Sequence, residues 1–70
     1  MDRQRVSSSN LESVGYDSKD EILEIKFHNG GIYQYSNVPF EKYESLMSAS
    51  SKGSYFARFI KDRYRYRKIR

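Results

Sequence analysis

Eight of the thirteen lysines and arginines fall between Lys52 and Arg70, a stretch whose only acid is Asp62. Lys52 is followed by Arg58, Lys61, Arg63, Arg65, Arg67, Lys68 and Arg70, with Tyr64 and Tyr66 set among them. This end of the chain is therefore +7, whereas the residues before it hold five bases and eight acids and sum to −3. Like charge at that density opposes compaction unless an anion approaches, and the interleaved rings offer flat surfaces on which bases can stack. Together they point to a nucleic acid gripped through its phosphates. The plain alternative is a solvated helix end and tail that confers solubility.

Two further groups of residues have chemistry to offer. Ser51, Lys52 and Gly53 stand where a helix should begin, so free amides, a small residue and one ammonium could hold an anion. A serine cap and a glycine that allows a tight turn between helices account for the same residues without a ligand, and that reading is preferred. The flanking glycines and preceding strand of a phosphate-binding loop are missing. Tyr33 and Tyr35 would form a stacking platform for bases if both rings were exposed, and would be core residues if the sheet buried them. His28 is a lone imidazole in a chain without cysteine, which makes a poor metal or proton-transfer site. No serine has a base beside it in any readable motif, and no paired carboxylates share a face. The expectation is a binding protein that is not an enzyme and needs no cofactor or metal.

The elements that must carry these residues are legible in the spacing. Residues 1–9 lack periodicity and end in three serines, which predicts a mobile lead-in. Leu11 to Tyr16 predicts a short strand with Val14 and Tyr16 on one face, closed by the turn-forming run Asp17 to Asp20. Glu21 to Phe27 alternates, with Leu23, Ile25 and Phe27 on one side, and is the clearest strand. Asn29 and Gly30 then predict a hairpin into Gly31–Asn37. A two-residue loop would pair Phe27 with Ile32 and turn both tyrosines to solvent. A three-residue loop with Gly30 left-handed pairs Ile25 with Tyr33 and Leu23 with Tyr35 and joins the two apolar stripes, so it is the preferred register.

Pro39 at the first position predicts a helix through Phe40, Tyr43, Leu46 and Met47. Ser51 predicts the cap of a second, with Tyr55, Phe56, Phe59 and Ile60 on its buried stripe. Beyond Arg63 arginine and tyrosine alternate, which predicts an extended or frayed basic tail over residues 65–70. The fold class is α+β: a three-stranded antiparallel meander with two C-terminal helices packed on one face. Residues 10–64 make the single domain, since 70 residues suffice for one small core with a stability margin of several kcal/mol. The absence of cysteine and of any apolar span predicts a soluble, cytoplasmic protein without a membrane partner.

Tyr33-Gln34-Tyr35 after a glycine-containing hairpin, then Val38-Pro39, then Ala49-Ser50-Ser51-Lys52-Gly53-Ser54-Tyr55-Phe56, resembles the KTSC domain. That family is named for a segment at the C-terminus of some lysyl-tRNA synthetases and also occurs as a free-standing small protein. The resemblance covers about Leu11 to Tyr64 and implies RNA, ahead of DNA, as the polyanion. A docking module for a protein partner or a second copy of the chain is the chief rival expectation, and a small protein holding an anionic nucleotide at Ser51 to Gly53 is a third.

Overall fold

A computed structural model describes residues 1–70. The elements are β1 (Gln4–Arg5), β2 (Leu11–Asp17), β3 (Ile22–Phe27), β4 (Ile32–Tyr35), α1 (Phe40–Ser48), α2 (Lys52–Phe59) and β5 (Tyr66–Lys68). The strands form one antiparallel sheet in the order β1-β2-β3-β4-β5, and the two helices are inserted between β4 and β5. The α+β class is as expected, but the meander has five strands, not three. The lead-in contributes β1 and the tail contributes β5. Gln4 pairs with Val14, and Tyr66 with Tyr35.

The hairpin takes the register that buries the apolar stripe. Leu23 pairs with Tyr35 and Ile25 with Tyr33. Gly30 sits at φ 98°, a conformation open to glycine and strained for other residues, and its N–H donates to the Phe27 carbonyl at 2.9 Å. At the preceding turn the Asp17 carboxylate accepts from the amides of Lys19 and Asp20, at 3.0 and 3.3 Å.

Directly opposed residues in antiparallel strands share a face. One face therefore carries the rows Tyr16, Leu23, Tyr35, Tyr66 and Val14, Ile25, Tyr33, Lys68. The helices cover this face. A shift in register between Leu11 and Ser13 turns Leu11 inward too, so Leu11, Val14, Leu23, Ile25, Leu46, Phe56 and Ile60 form a continuous core with Tyr35 and Val38. Each fully buried Leu, Ile or Val contributes about 1.5–3 kcal/mol relative to leaving it in water.

Pro39 is the residue before α1, with its carbonyl accepting from Lys42 at 3.0 Å, so the helix begins at Phe40, one place later than the spacing predicts. Phe40 and Phe59, assigned to the buried stripes, are 45% and 39% exposed; Leu46, Phe56 and Ile60 carry the packing. Ser51 caps α2 as expected, its hydroxyl accepting from the Ser54 amide at 3.4 Å. After α2 the chain reverses through Asp62, which is left-handed at φ 64°. It then runs back along β4: the Ser36 amide donates to the Arg65 carbonyl at 2.9 Å and the Ile69 amide to the Ile32 carbonyl at 2.8 Å. Neither helix is long and apolar enough to cross a membrane.

Candidate nucleic-acid interface

Tyr33 and Tyr35 point to the helix side of the sheet and have different surroundings. Tyr35 is 5% exposed, with its ring 5.4 Å from that of Phe56 in an edge-on arrangement. Burial, reinforced by Tyr33, Tyr66 and Asp62 nearby, pushes its hydroxyl up to about 12. Tyr35 is thus a core residue. Tyr33 lies further out, half-buried, edge-on to Phe27 at 5.6 Å and 5.7 Å from Tyr66. Phe59 touches neither tyrosine and packs instead on Tyr55 at 4.8 Å.

Between these rings and α2 lies a groove of about 610 Å³. Phe27 and Tyr33 line it from the hairpin, Tyr66 from β5 and Gly53 and Ala57 from α2, and the buried Phe56 meets Phe27 edge-on at 5.4 Å. Gly53, Ala57 and Lys61 are spaced by four, one stripe of α2 and its continuation. Because two of the three are small, the groove stays open. Tyr66 is 60% exposed, the most exposed of the protein's large apolar and aromatic side chains. Phe27, Asn10 and His28 also line this space and carry no signal in the sequence that marks them for it, because they converge only once β2, the hairpin and α2 have packed. The His28 Nε2 donates to the Ser8 carbonyl at 2.9 Å, which ties the hairpin to the residues before β2.

The basic residues surround the β5 edge. Lys68 stands 5.9 Å from the centre of the Tyr33 ring and Lys61 lines the groove on the α2 side. Strand alternation sends Arg65 and Arg67 to the opposite face, where the Arg67 guanidinium donates to the Gln34 amide oxygen at 3.1 Å. Arg58 lies on the outer side of α2, 5.8 Å from the Phe59 ring. Arg63 and Arg70 are exposed, and Tyr64 is half-buried against the core rather than displayed. The three ion pairs of the protein use Arg3, Arg5 and Lys26, so every cation from Lys52 onward has no carboxylate within 4.0 Å. The charge straddles an edge strand and the adjoining helix, with Lys61 on the lining of the aromatic groove and Lys68 over the Tyr33 ring.

Ser51, Lys52 and Gly53 line a second hollow of about 370 Å³ with Ser7, Ser8, Ser9 and Ser50. Their bonds there are those of a capped helix start. Ser51 holds the Ser54 amide, the Lys52 ammonium donates to the Ala49 carbonyl at 3.2 Å, and the Ser8 hydroxyl takes the Asn10 and Leu11 amides. Gly53 makes room for the Asn10 side chain just before β2, since a Cβ at that position would stand 3.2 Å from the Asn10 side-chain nitrogen.

Residues 7–64 match the KTSC domain. A protein of Stutzerimonas stutzeri (strain A1501) is 41% identical over 70 residues, covering 99% of each chain. The lysine–tRNA ligase of Trichormus variabilis is 36% identical over 59 residues; these are 84% of this chain and 10% of the ligase, so the whole ligase is far larger than the region matched. Among solved structures, the crystal structure of a KTSC domain protein from Yersinia pestis superposes with a TM-score of 0.96 at 46% identity, covering 99% of this chain and 97% of the other.

Proposed function

The chain belongs to the KTSC domain family, and we propose that it is a small, non-enzymatic RNA-binding module of the cytoplasm that grips phosphates along β5 and the adjoining end of α2. One observation carries the reading: Arg58, Lys61, Arg63, Arg65, Arg67, Lys68 and Arg70 are all exposed and none has a carboxylate within ion-pairing distance, although nine acids are available in the chain. No carboxylate of the chain neutralises these cations, so their field stays open to an approaching anion. RNA is favoured over DNA because relatives of this domain occur within lysine–tRNA ligases. Backbone contact carries no sequence information, so the reading is of affinity without strict sequence choice.

Electrophoretic shift with tRNA, single-stranded RNA and duplex DNA across a salt series tests this. If four to six phosphates are contacted, log K against log salt for a single strand should slope by about −3 to −4. The charge-swap variant Arg65→Glu/Arg67→Glu should weaken binding and flatten that slope. A flat salt response in the unaltered protein overturns the reading. A salt-tolerant complex with a second copy or with another protein would favour docking through the open β5 edge instead.

A further inference from the structure

We propose that the groove between the β3–β4 hairpin, β5 and α2 receives one unpaired nucleobase of the bound strand, which makes the module a reader of single-stranded rather than duplex RNA. This rests on the RNA-binding reading above and adds a base site to it. The size fits: about 610 Å³ lies inside the range of roughly 300–1,000 Å³ typical of small-ligand pockets. The walls fit as well. Phe27 and Tyr33 present ring surface, and Tyr66, 60% exposed, is held within 6 Å of both Tyr33 and Tyr35 without being covered by anything in the fold.

Charge selects the occupant. Lys61 lines the groove and Lys68 stands over the Tyr33 ring beside it, so two ammonium groups lie near the aromatic surface, which suits a planar base that carries phosphates. An apolar side chain of a partner protein would have no use for both ammonium groups. The Asn10 amide and the Asp62 carboxylate on the lining offer a donor and acceptors to the polar edge of a base. Gly53 and Ala57 keep the α2 side low and leave room for a ring, and a duplex, whose bases are already paired and stacked, has none to supply.

Ala57 provides the test because it is exposed on α2 and uncharged. Ala57→Trp fills the groove and leaves every cation in place. The probes are a ten-nucleotide single-stranded RNA, the same strand with abasic sugars, a duplex RNA of the same length, and free adenosine and uridine monophosphates. Titrations use the full chain, with folding of each variant checked by circular dichroism. The expected result is that Ala57→Trp, and separately the abasic substitutions, weaken single-strand binding about five- to a hundred-fold, the worth of one aromatic–base stack. Duplex binding and the salt slope should stay unchanged. Tyr66→Leu serves as a second variant should the tryptophan disturb α2, with the same expectation.

Equal affinity of intact and abasic strands, or of Ala57→Trp and the unaltered protein for the single strand, overturns the base site while leaving phosphate binding standing. Free monophosphates binding as tightly as the strand would overturn a strand-borne base. No binding of any RNA removes both readings.

Discussion

The side-chain amide of Gln34 donates to the Glu24 carboxylate at 2.8 Å, and its oxygen accepts from Arg67. Glu24 in turn accepts from the guanidinium of Arg3, which also donates to the Ser13 hydroxyl at 3.2 Å. One polar row thus crosses the sheet on the face away from the helices, from the residue preceding β1 to the middle of β5. Glu24 at the centre of this row is only 4% exposed, while Arg3 and Gln34 are half-buried and Arg67 at the end is exposed.

A buried carboxylate that loses its cation is costly. Arg3→Ala should therefore lower stability by about 2–3 kcal/mol, below the ~3–5 kcal/mol of a fully buried pair because the arginine is partly exposed. Urea unfolding at neutral pH reads this as a lower midpoint with an unchanged slope. In the Arg3→Ala background, Glu24→Met should cost at least ~1 kcal/mol less than it does in the unaltered protein, since the charge removed no longer has a partner. Strict additivity would show that the two side chains do not interact.

Gly15 makes the Arg3 contact feasible. It pairs with Glu24, and a Cβ there would stand 2.5 Å from the Asp2 carbonyl oxygen and 3.1 Å from the Arg3 Cγ. Gly15→Ala should lift residues 2–5 off β2 and break the Arg3–Glu24 pair, with a loss close to that of Arg3→Ala. The double variant should cost little more than either change alone. Hydrogen exchange should show the Val6 amide, which donates to the Glu12 carbonyl at 3.1 Å, losing protection.

The same row explains which parts of the molecule were legible in the sequence. β3, β4 and the hairpin register follow from the alternation of Leu23, Ile25 and Phe27 and from a glycine free to take positive φ, so local pattern and burial agree. β1 and β5 have wholly exposed residues and no apolar stripe. Backbone pairing and the Arg3–Glu24–Gln34–Arg67 row hold them, and both depend on partners 10 or more residues away. The alternation of arginine and tyrosine from Arg63 to Arg67 indicates only an extended or frayed tail, whereas the segment is a strand paired with β4. What spacing lacked was the β4 edge on which that tail lies. Glu24 likewise reads as a solvent-facing strand residue until the N-terminal segment covers it. At the site, the cations and Tyr66 stand out by type, whereas the groove beside them exists only through tertiary convergence.

Alkaline pH should unfold the protein by way of Tyr35. Its hydroxyl is held up to about 12, against an ordinary 10.0, chiefly by burial. Between those values the folded chain keeps a proton that the unfolded chain has lost, so stability falls as pH rises through that window, by at most ~1.4 kcal/mol per pH unit. Tyr16, whose hydroxyl donates to the Val38 carbonyl at 2.6 Å and is also held up by burial, acts in the same direction. The urea midpoint should drop between pH 9 and pH 11.5, and Tyr35→Phe should drop measurably less. Identical pH profiles would show that the Tyr35 hydroxyl is not the group responsible.

Ending the chain at Asp62 is a tempting way to remove the basic tail, but the fold makes it a structural change first. The cut deletes β5 and with it the bonds from the Ser36 amide to the Arg65 carbonyl and between Ile69 and Ile32. It also uncovers Tyr33 and Tyr35 on the side that Tyr66 flanks. β4 then becomes an open edge, a template for pairing with another chain. The truncated protein should show a lower urea midpoint and, by light scattering, more concentration-dependent association than the full chain. Arg65→Gln/Arg67→Gln, which keeps the strand, should keep the mass of the full chain and lose less stability, mainly the bond from Arg67 to Gln34. If the truncated chain instead matches the full chain in midpoint and mass, β5 contributes nothing to the sheet and the five-stranded description fails at that edge.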